Sequence, residues 1–269
     1  MRLPTLFVSH GSPMCALRTN PFAQRWAALA RELPRPHAIL VASAHWETEL
    51  PMVATAERPP TLHDFGGFPP ALERIRYPAP GAPEMARAAL GLLAAAGLPA
   101  SANGCRGLDH GTWVPLLHMF PQADVPVFQV SIQPSIGAAH HLRLGSVLAP
   151  LASDGVLIIG SGSITHNLRD WNGWSGEHGS HPDPEAPTYV QEFRDSVEAA
   201  LRAGDQEFLA NYRERAPHAQ RAHPTEEHVL PLHVAYAAAG SGPRVERIDL
   251  GVDGGAIGMD VFIFRPMAG

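Results

Sequence analysis

The chain has 269 residues and a formal net charge of -6. It is long enough to bury a real core, as one large α/β domain or two small ones, and its mildly acidic balance argues against a nucleic-acid groove or an anionic membrane surface as partner. Its two cysteines, Cys15 and Cys105, lie far apart and are read as reduced thiols, the apolar start MRLPTLFVSHGSP is too short for a signal peptide, and no window approaches a membrane span, so a cytoplasmic protein is expected.

Leu6 to Ser9 is an apolar run that closes on His10-Gly11-Ser12-Pro13, the pattern of a buried strand followed by a turn. Asn20 to Leu33 has helical spacing, with Asn20 as cap and Pro21 in the first turn. Ala38 to Ala44 reads as a second buried strand that ends at His45-Trp46-Glu47, and Pro51 to Thr55 as a shorter third. Thr61 to Pro80 is rich in Gly, Pro and aromatics and reads as an ordered loop. Glu84 to Ala96 is helical, with Gly97 suited to its stop.

Leu108 to Trp113 is a turn leading into a short helix through Met119. Val125 to Ile132 is a strand, Ala138 to Leu151 a helix, and Val156 to Gly160 a strong strand that runs on through Ser161-Gly162-Ser163-Ile164-Thr165 to His166. The stretch 172–187 is polar and reads as a loop or lid, with His178 and His181 expected at the surface. Thr188 to Ala203 and Thr225 to Ala239 read as amphipathic helices, the second kinked or delayed by Pro231. Val245 to Leu250 and Asp260 to Phe264 are closing strands. Alternating strands and helices without a repeat or linker predict a single α/β domain over 1–269, with a central mostly parallel or mixed sheet, helices on both faces, and an active site at the carboxyl ends of the strands.

The 15 histidines are unusual less for their number than for their placement. Three of the four strongest strands lead into one: LFVS into His10, ILVASA into His45 and VLIIGSGSIT into His166. Ligands of open α/β sheets bind beyond that edge, and imidazole is the commonest ligand for first-row metals. A single such histidine is more simply a polar strand cap; the set favours a metal centre with His10 and His45 as ligands. His223, His228 and His233 recur at five-residue spacing, and one of them, or Glu226 or Glu227, can complete the site; spacing does not choose. His110 caps the helix after Gly111 or acts in the site, and His63 is read as structural.

Other chemistries fail on their motifs. There is no G-x-S-x-G elbow, no Walker sequence, no H-E-x-x-H pair and no metal-finger cysteine spacing. Gly160-Ser161-Gly162 starts like a dinucleotide loop, but Thr165 stands where its third glycine belongs.

The ordered motifs SHGSP, SAHWE, LDHGTW, GSGSITHN and HPTEEHVLPLHVA resemble the class III extradiol ring-cleavage dioxygenases, in the 4,5-DOPA dioxygenase branch, and HDFGGFP and YPAPGAPE extend the likeness over nearly the whole chain. The resemblance implies His10, His45 and His228 as metal ligands, His166 as acid/base, and His110 as a further proton donor or substrate contact. It departs from the usual two-His-one-carboxylate iron triad by placing His228 third. One divalent metal is implied, iron(II) for activity, although three neutral imidazoles also suit zinc.

The implied reaction adds dioxygen across a ring bond beside the two hydroxyls of a DOPA- or caffeate-like catechol, giving a muconic semialdehyde. His166 would take and return a proton. Arg169 is the candidate anchor for a substrate carboxylate. A homo-oligomer is compatible with the sequence, which does not specify one. The rival readings are a tetrapyrrole metal chelatase, which shares the H-G-S turn, a binding protein that has kept the scaffold, and a zinc hydrolase, which lacks a general-base motif.

Overall fold

A computed structural model describes residues 2–17, 20–172 and 186–267; His178 and His181, and the stretch read as a lid, fall largely outside the described residues. The strands in chain order are β1 (Thr5–Ser9), β2 (Ala38–Glu47), β3 (Met52–Ala54), β4 (Ser101–Asn103), β5 (Val127–Ile132), β6 (Val156–Gly162), β7 (Arg244–Ile248), β8 (Val252–Asp253), β9 (Ile257–Gly258) and β10 (Val261–Arg265). The helices are α1 (Pro21–Glu32), α2 (Pro70–Glu73), α3 (Pro83–Ala95), α4 (His110–Met119), α5 (Ala138–Leu148), α6 (Thr188–Ala203), α7 (Gln206–Ala210), α8 (Tyr212–Arg215), α9 (Ala219–Ala222) and α10 (Leu230–Ala238).

Eight strands form one mixed sheet in the order β4-β3-β5-β2-β6-β1-β10-β7, and β8 and β9 pair apart from it. The centre is parallel: β2 pairs with β5 and β6, and β6 with β1. β10 and β7 close one edge antiparallel. The central strands are apolar on both sides because both faces are covered. Period-2 alternation divides their side chains: Leu6, Val8, Ile39, Val41, Leu157 and Ile159 pack with α1 and α4. Phe7, Phe262 and Phe264 face α6 and α10, and Leu40, Ala42, Phe128 and Ile158 face α3 and α5. The predicted α/β architecture is therefore the one observed.

Differences from the sequence reading are local. Thr225 to Ala239 is not one helix; α10 begins only at Leu230, with Pro231 in its first turn, where a missing N–H costs nothing. α5 ends at Leu148 and passes into a tight turn over Ala149–Ala152, with Pro150 near its start. The short pieces β4, α2, α7, α8 and α9 and the β8–β9 hairpin carry too little periodicity to be read from sequence.

Two features of the sheet open a crevice. β2 pairs with β6 only as far as Ser43 opposite Ser161, while its register with β5 shifts between Ala42 and Glu47. His45 thus lies past the last β2–β6 pair, where the strands part. β1 stays beside β6 to the pair Ser9–Gly162, and the His10 amide donates to the Gly162 carbonyl at 2.9 Å. On the outer side of the sheet, a buried ionic cluster ties α6 to the closing strands: Arg194 donates to both oxygens of Asp260, and Arg247 donates to Asp260, Asp195 and Glu198.

Candidate active site

His10, His45, His110, His166 and His228 all line one cavity of about 410 Å³ at the carboxyl edge of the sheet. The first two arrive on β1 and β2, His110 opens α4, His166 follows β6, and His228 precedes α10. His228 is brought in by its backbone. Ser163 N–H donates to the His228 carbonyl at 2.8 Å, and a Cβ on Gly162 would collide with that carbonyl. Gly111 plays the matching part on the other side: a Cβ there would stand 2.7 Å from Ser43 Oγ and 3.0 Å from His45 Cδ2.

The start of α4 is fixed by Asp109, its N-cap, which is fully buried. One of its oxygens accepts from Thr112 N–H at 3.0 Å and Ser43 Oγ at 2.7 Å. The other accepts from Arg106 at 2.6 Å and Gln129 at 2.7 Å. Burying a carboxylate is costly unless its lone pairs are filled, and here four donors fill them. Because Ser43 also accepts from the His45 amide at 3.2 Å, this one carboxylate locks the His45 strand end to the His110 helix end.

Ligand-capable atoms of His10, His45 and His228 lie within 4.8 Å of one another. Partners assign the tautomers. Ser161 Oγ donates to the Gly111 carbonyl and accepts from His10 Nδ1 at 3.0 Å. His228 Nδ1 donates to Glu227 at 3.0 Å. That leaves Nε2 of each ring as a lone pair turned inward. His10 Nε2 and His45 Nε2 then meet at 3.0 Å. Burial, followed by the neighbouring histidines, holds His10 and His228 well below the ordinary imidazole range. Burial and then His110 bring His45 to about 4, against the opposite pull of Asp109 and Asp64. A proton is therefore a poor occupant of this cluster, and the donor set fits a divalent cation.

Two overlapping groups, His45–Asp64–His110 and His166–Glu227–His228, also cluster, but their carboxylates are already engaged. Asp64 Oδ1 accepts the His110 backbone N–H at 2.9 Å and Oδ2 faces His110 Nδ1 at 3.0 Å. Burial alone would raise the Asp64 pKa, yet the His110 ring and backbone hydrogen bonds hold it at about 2. His166 stacks on His228 with centroids 3.5 Å apart and planes 8° from parallel. Burial brings its pKa to about 4, although Glu227 pulls it upward. Much of the rest of the wall is apolar, with Pro13, Phe65, Phe68, Leu168, Trp171 and Ile257, while Ser12, Ser163 and Asp253 add polar groups to it.

The structure decides among the C-terminal histidines that spacing left open. His223 bonds the Ile164 carbonyl at 2.9 Å and His233 the Leu209 carbonyl at 3.0 Å, both buried in packing away from the cavity. Glu226 accepts from the Tyr212 hydroxyl at 2.8 Å. His63 bonds the Ile75 carbonyl at 3.0 Å, in keeping with a structural role. Sequence reasoning gave no part to Asp64, Ser161, Phe65, Phe68, Trp171 or Asp253. Asp64 had one visible sign, an acid inside the aromatic loop HDFGGFP; the others had none, since their meaning comes from long-range contacts.

With this geometry in hand, comparison with known proteins is specific. The family described as the catalytic LigB subunit of aromatic ring-opening dioxygenase matches residues 4–252. The chain is 42% identical over 266 residues to a protein of Beta vulgaris named 4,5-DOPA dioxygenase extradiol, covering 97% of this chain and 96% of that one. It is 41% identical over 258 residues to the protein of that name from Escherichia coli K12, covering 93% of this chain and 92% of that one. The crystal structure of an uncharacterized protein, JW3007, from Escherichia coli K12 superposes with a TM-score of 0.79 at 35% identity, over 97% of this chain and 99% of that one. A cavity built on converging imidazoles and a match of this length lead to one conclusion: the chain belongs to the LigB family of metal-dependent aromatic ring-opening dioxygenases, in its 4,5-DOPA extradiol branch.

Proposed function

We propose that His10, His45 and His228 hold one divalent ion, iron(II) in the active protein, and that a catechol enters with its two hydroxyls toward this cluster. The single observation that carries the reading is that His10 and His228 each spend Nδ1 on a neighbouring acceptor, while the inner nitrogens of His10 and His45 converge to 3.0 Å. When bound, iron(II) supplies the redox chemistry that couples dioxygen to an aromatic diol; zinc fits the same imidazoles but has no redox states.

The chain's own residues handle position and protons. His166 is neutral near physiological pH because burial holds its pKa at about 4, so it can take the proton of a catechol hydroxyl and return it to the opening ring. Its parallel stack on His228 fixes the plane of the ring. His110, whose Nδ1–H is directed at Asp64, keeps Nε2 as an acceptor for a catechol hydroxyl, whose proton it can hold and later give back. Phe65, Phe68, Leu168 and Trp171 hold the aromatic ring and limit water beside it. Names of relatives at 37–42% identity favour a DOPA-like catechol opened beside its diol to a muconic semialdehyde.

The test is anaerobic reconstitution with iron(II), or with zinc as control, followed by catechols in air. Oxygen uptake and a new yellow product are expected with iron alone. Absence of uptake with every catechol tried, in a protein shown to have bound its iron, refutes the proposal.

A further inference from the structure

Among the described residues no arginine lines the cavity, and Arg169, expected as a carboxylate anchor, is exposed and off its wall. Arg106 is off the wall as well, but it lies behind it, largely buried and bonded to the main chain of His45.

His45 stands where the sheet does not hold it. The β2–β6 ladder stops at Ser43–Ser161, and the β2–β5 register jumps from Ala42–Val130 to Glu47–Ile132, so His45 has no paired residue on either neighbouring strand. Its backbone groups find side chains instead. The amide donates to Ser43 Oγ at 3.2 Å, and the carbonyl accepts from Arg106 Nη2 at 3.0 Å. Both of these side chains end on one carboxylate: Ser43 Oγ donates to Asp109 Oδ1 at 2.7 Å, and the same Arg106 Nη2 donates to Asp109 Oδ2 at 2.6 Å. The guanidinium also lies 5.1 Å from the centroid of Trp46, the next residue of the strand. Arg106 is fixed from its own side by Asn103 Oδ1, which accepts its amide at 2.8 Å. Asp109 in turn caps α4, whose first residue is His110, and the His45 and His110 rings lie 4.0 Å apart by their centroids. The Arg106–Asp109 pair thus spans the ends of two elements that each deliver a ring to the cavity.

We infer that Arg106 is a positioning residue for the metal centre: by bridging the His45 carbonyl to Asp109, it sets the His45 ring against the other two ligands and against His110. The inference rests on the reading of His10, His45 and His228 as the ligands. Outer partners of this kind ordinarily govern metal affinity or activity by about ten- to a hundredfold. The charge matters as well as the donor. Asp109 is fully buried, and a buried carboxylate that loses its cation is left uncompensated, which loosens the anchor of both rings together.

The test uses the full chain loaded with cobalt(II), whose visible absorption reports the geometry of its ligands, and with iron(II) for turnover of methylcatechol. Three variants are compared: Arg106→Lys, Arg106→Gln, and Arg106→Gln combined with Asp109→Asn, which leaves no unpaired buried charge. Both glutamine variants should bind cobalt about tenfold or more weakly, with an altered absorption, and kcat per bound iron should fall by the same order while KM changes little. Arg106→Lys keeps the charge but not the planar fork, and it should show the same changes to a smaller degree. Cobalt affinity, absorption and kcat per bound iron that stay unchanged in every variant that folds, with a lower melting temperature alone, make the pair a fold support and overturn the inference. An unaltered protein that takes up no cobalt refutes the ligand set itself, and the inference with it.

Discussion

The main chain of His228 rests directly on Gly162: the His228 carbonyl accepts the amide of Ser163 at 2.8 Å, in the space a side chain on residue 162 would occupy. Gly162→Ala must push the two backbones apart, and backbone, unlike a side-chain tip, cannot turn aside. Overpacking of this kind costs about 1–3 kcal/mol, and the displacement falls on His228. A lower melting temperature is expected together with weaker metal retention on dialysis. A variant that keeps both would show that the close approach does not matter.

His228 and His233 are five residues apart and both are buried, yet they should fail differently. His228→Ala should lose metal, measured by elemental analysis, with little change in the melting temperature of the metal-free protein. His233→Ala leaves the buried Leu209 carbonyl without its partner and should cost about 1–3 kcal/mol of stability while the metal content is kept. Metal retained by the His228 variant would remove it from the ligand set.

Asp64 holds His110 by both ring and backbone. Asp64→Asn keeps an oxygen for the backbone amide but removes the charge that orients the imidazole. Turnover should fall on the order of ten- to a hundredfold, with iron content unchanged. Because Asp64 stays ionised down to about pH 2, it contributes no limb of its own to a pH–rate profile near neutrality. Turnover equal to that of the unaltered protein would leave the Asp64–His110 pair without a part in catalysis.

Acid should destabilise the metal-free protein early. Burial, though opposed by the Gly137 carbonyl, brings His141 to about 3, and burial brings His233 to about 4, against about 6.5 in an unfolded chain. Between those values the unfolded state binds protons that the folded state refuses, so stability rises with pH across the window. The contribution is complete above about pH 6.5 and is lost as pH falls toward 4, at about 1.4 kcal/mol per pH unit from each group. Melting temperature should be level above about pH 7 and drop steeply below about 6, less steeply in His141→Gln. A level curve down to about pH 5 would contradict this.

The sequence by itself determined the alternation of strands and helices, and with it the α/β sheet, because buried parallel strands must be continuously apolar and their helices must follow a 3.6-residue period. It also carried the expectation that His10, His45 and His166 reach one edge, since each follows the carboxyl end of a predicted strand. Only the tertiary structure decided that His228, and not His223 or His233, completes the cluster: the three have equal spacing, and the choice is made by Gly162 and Ser163, more than sixty residues away in the chain. The same holds for Asp64, Ser161 and Asp253. A hydrogen bond that fixes a tautomer, or a carboxylate set among the aromatic residues of a cavity wall, exists only between segments that the fold has brought together, and no local pattern of residues encodes it.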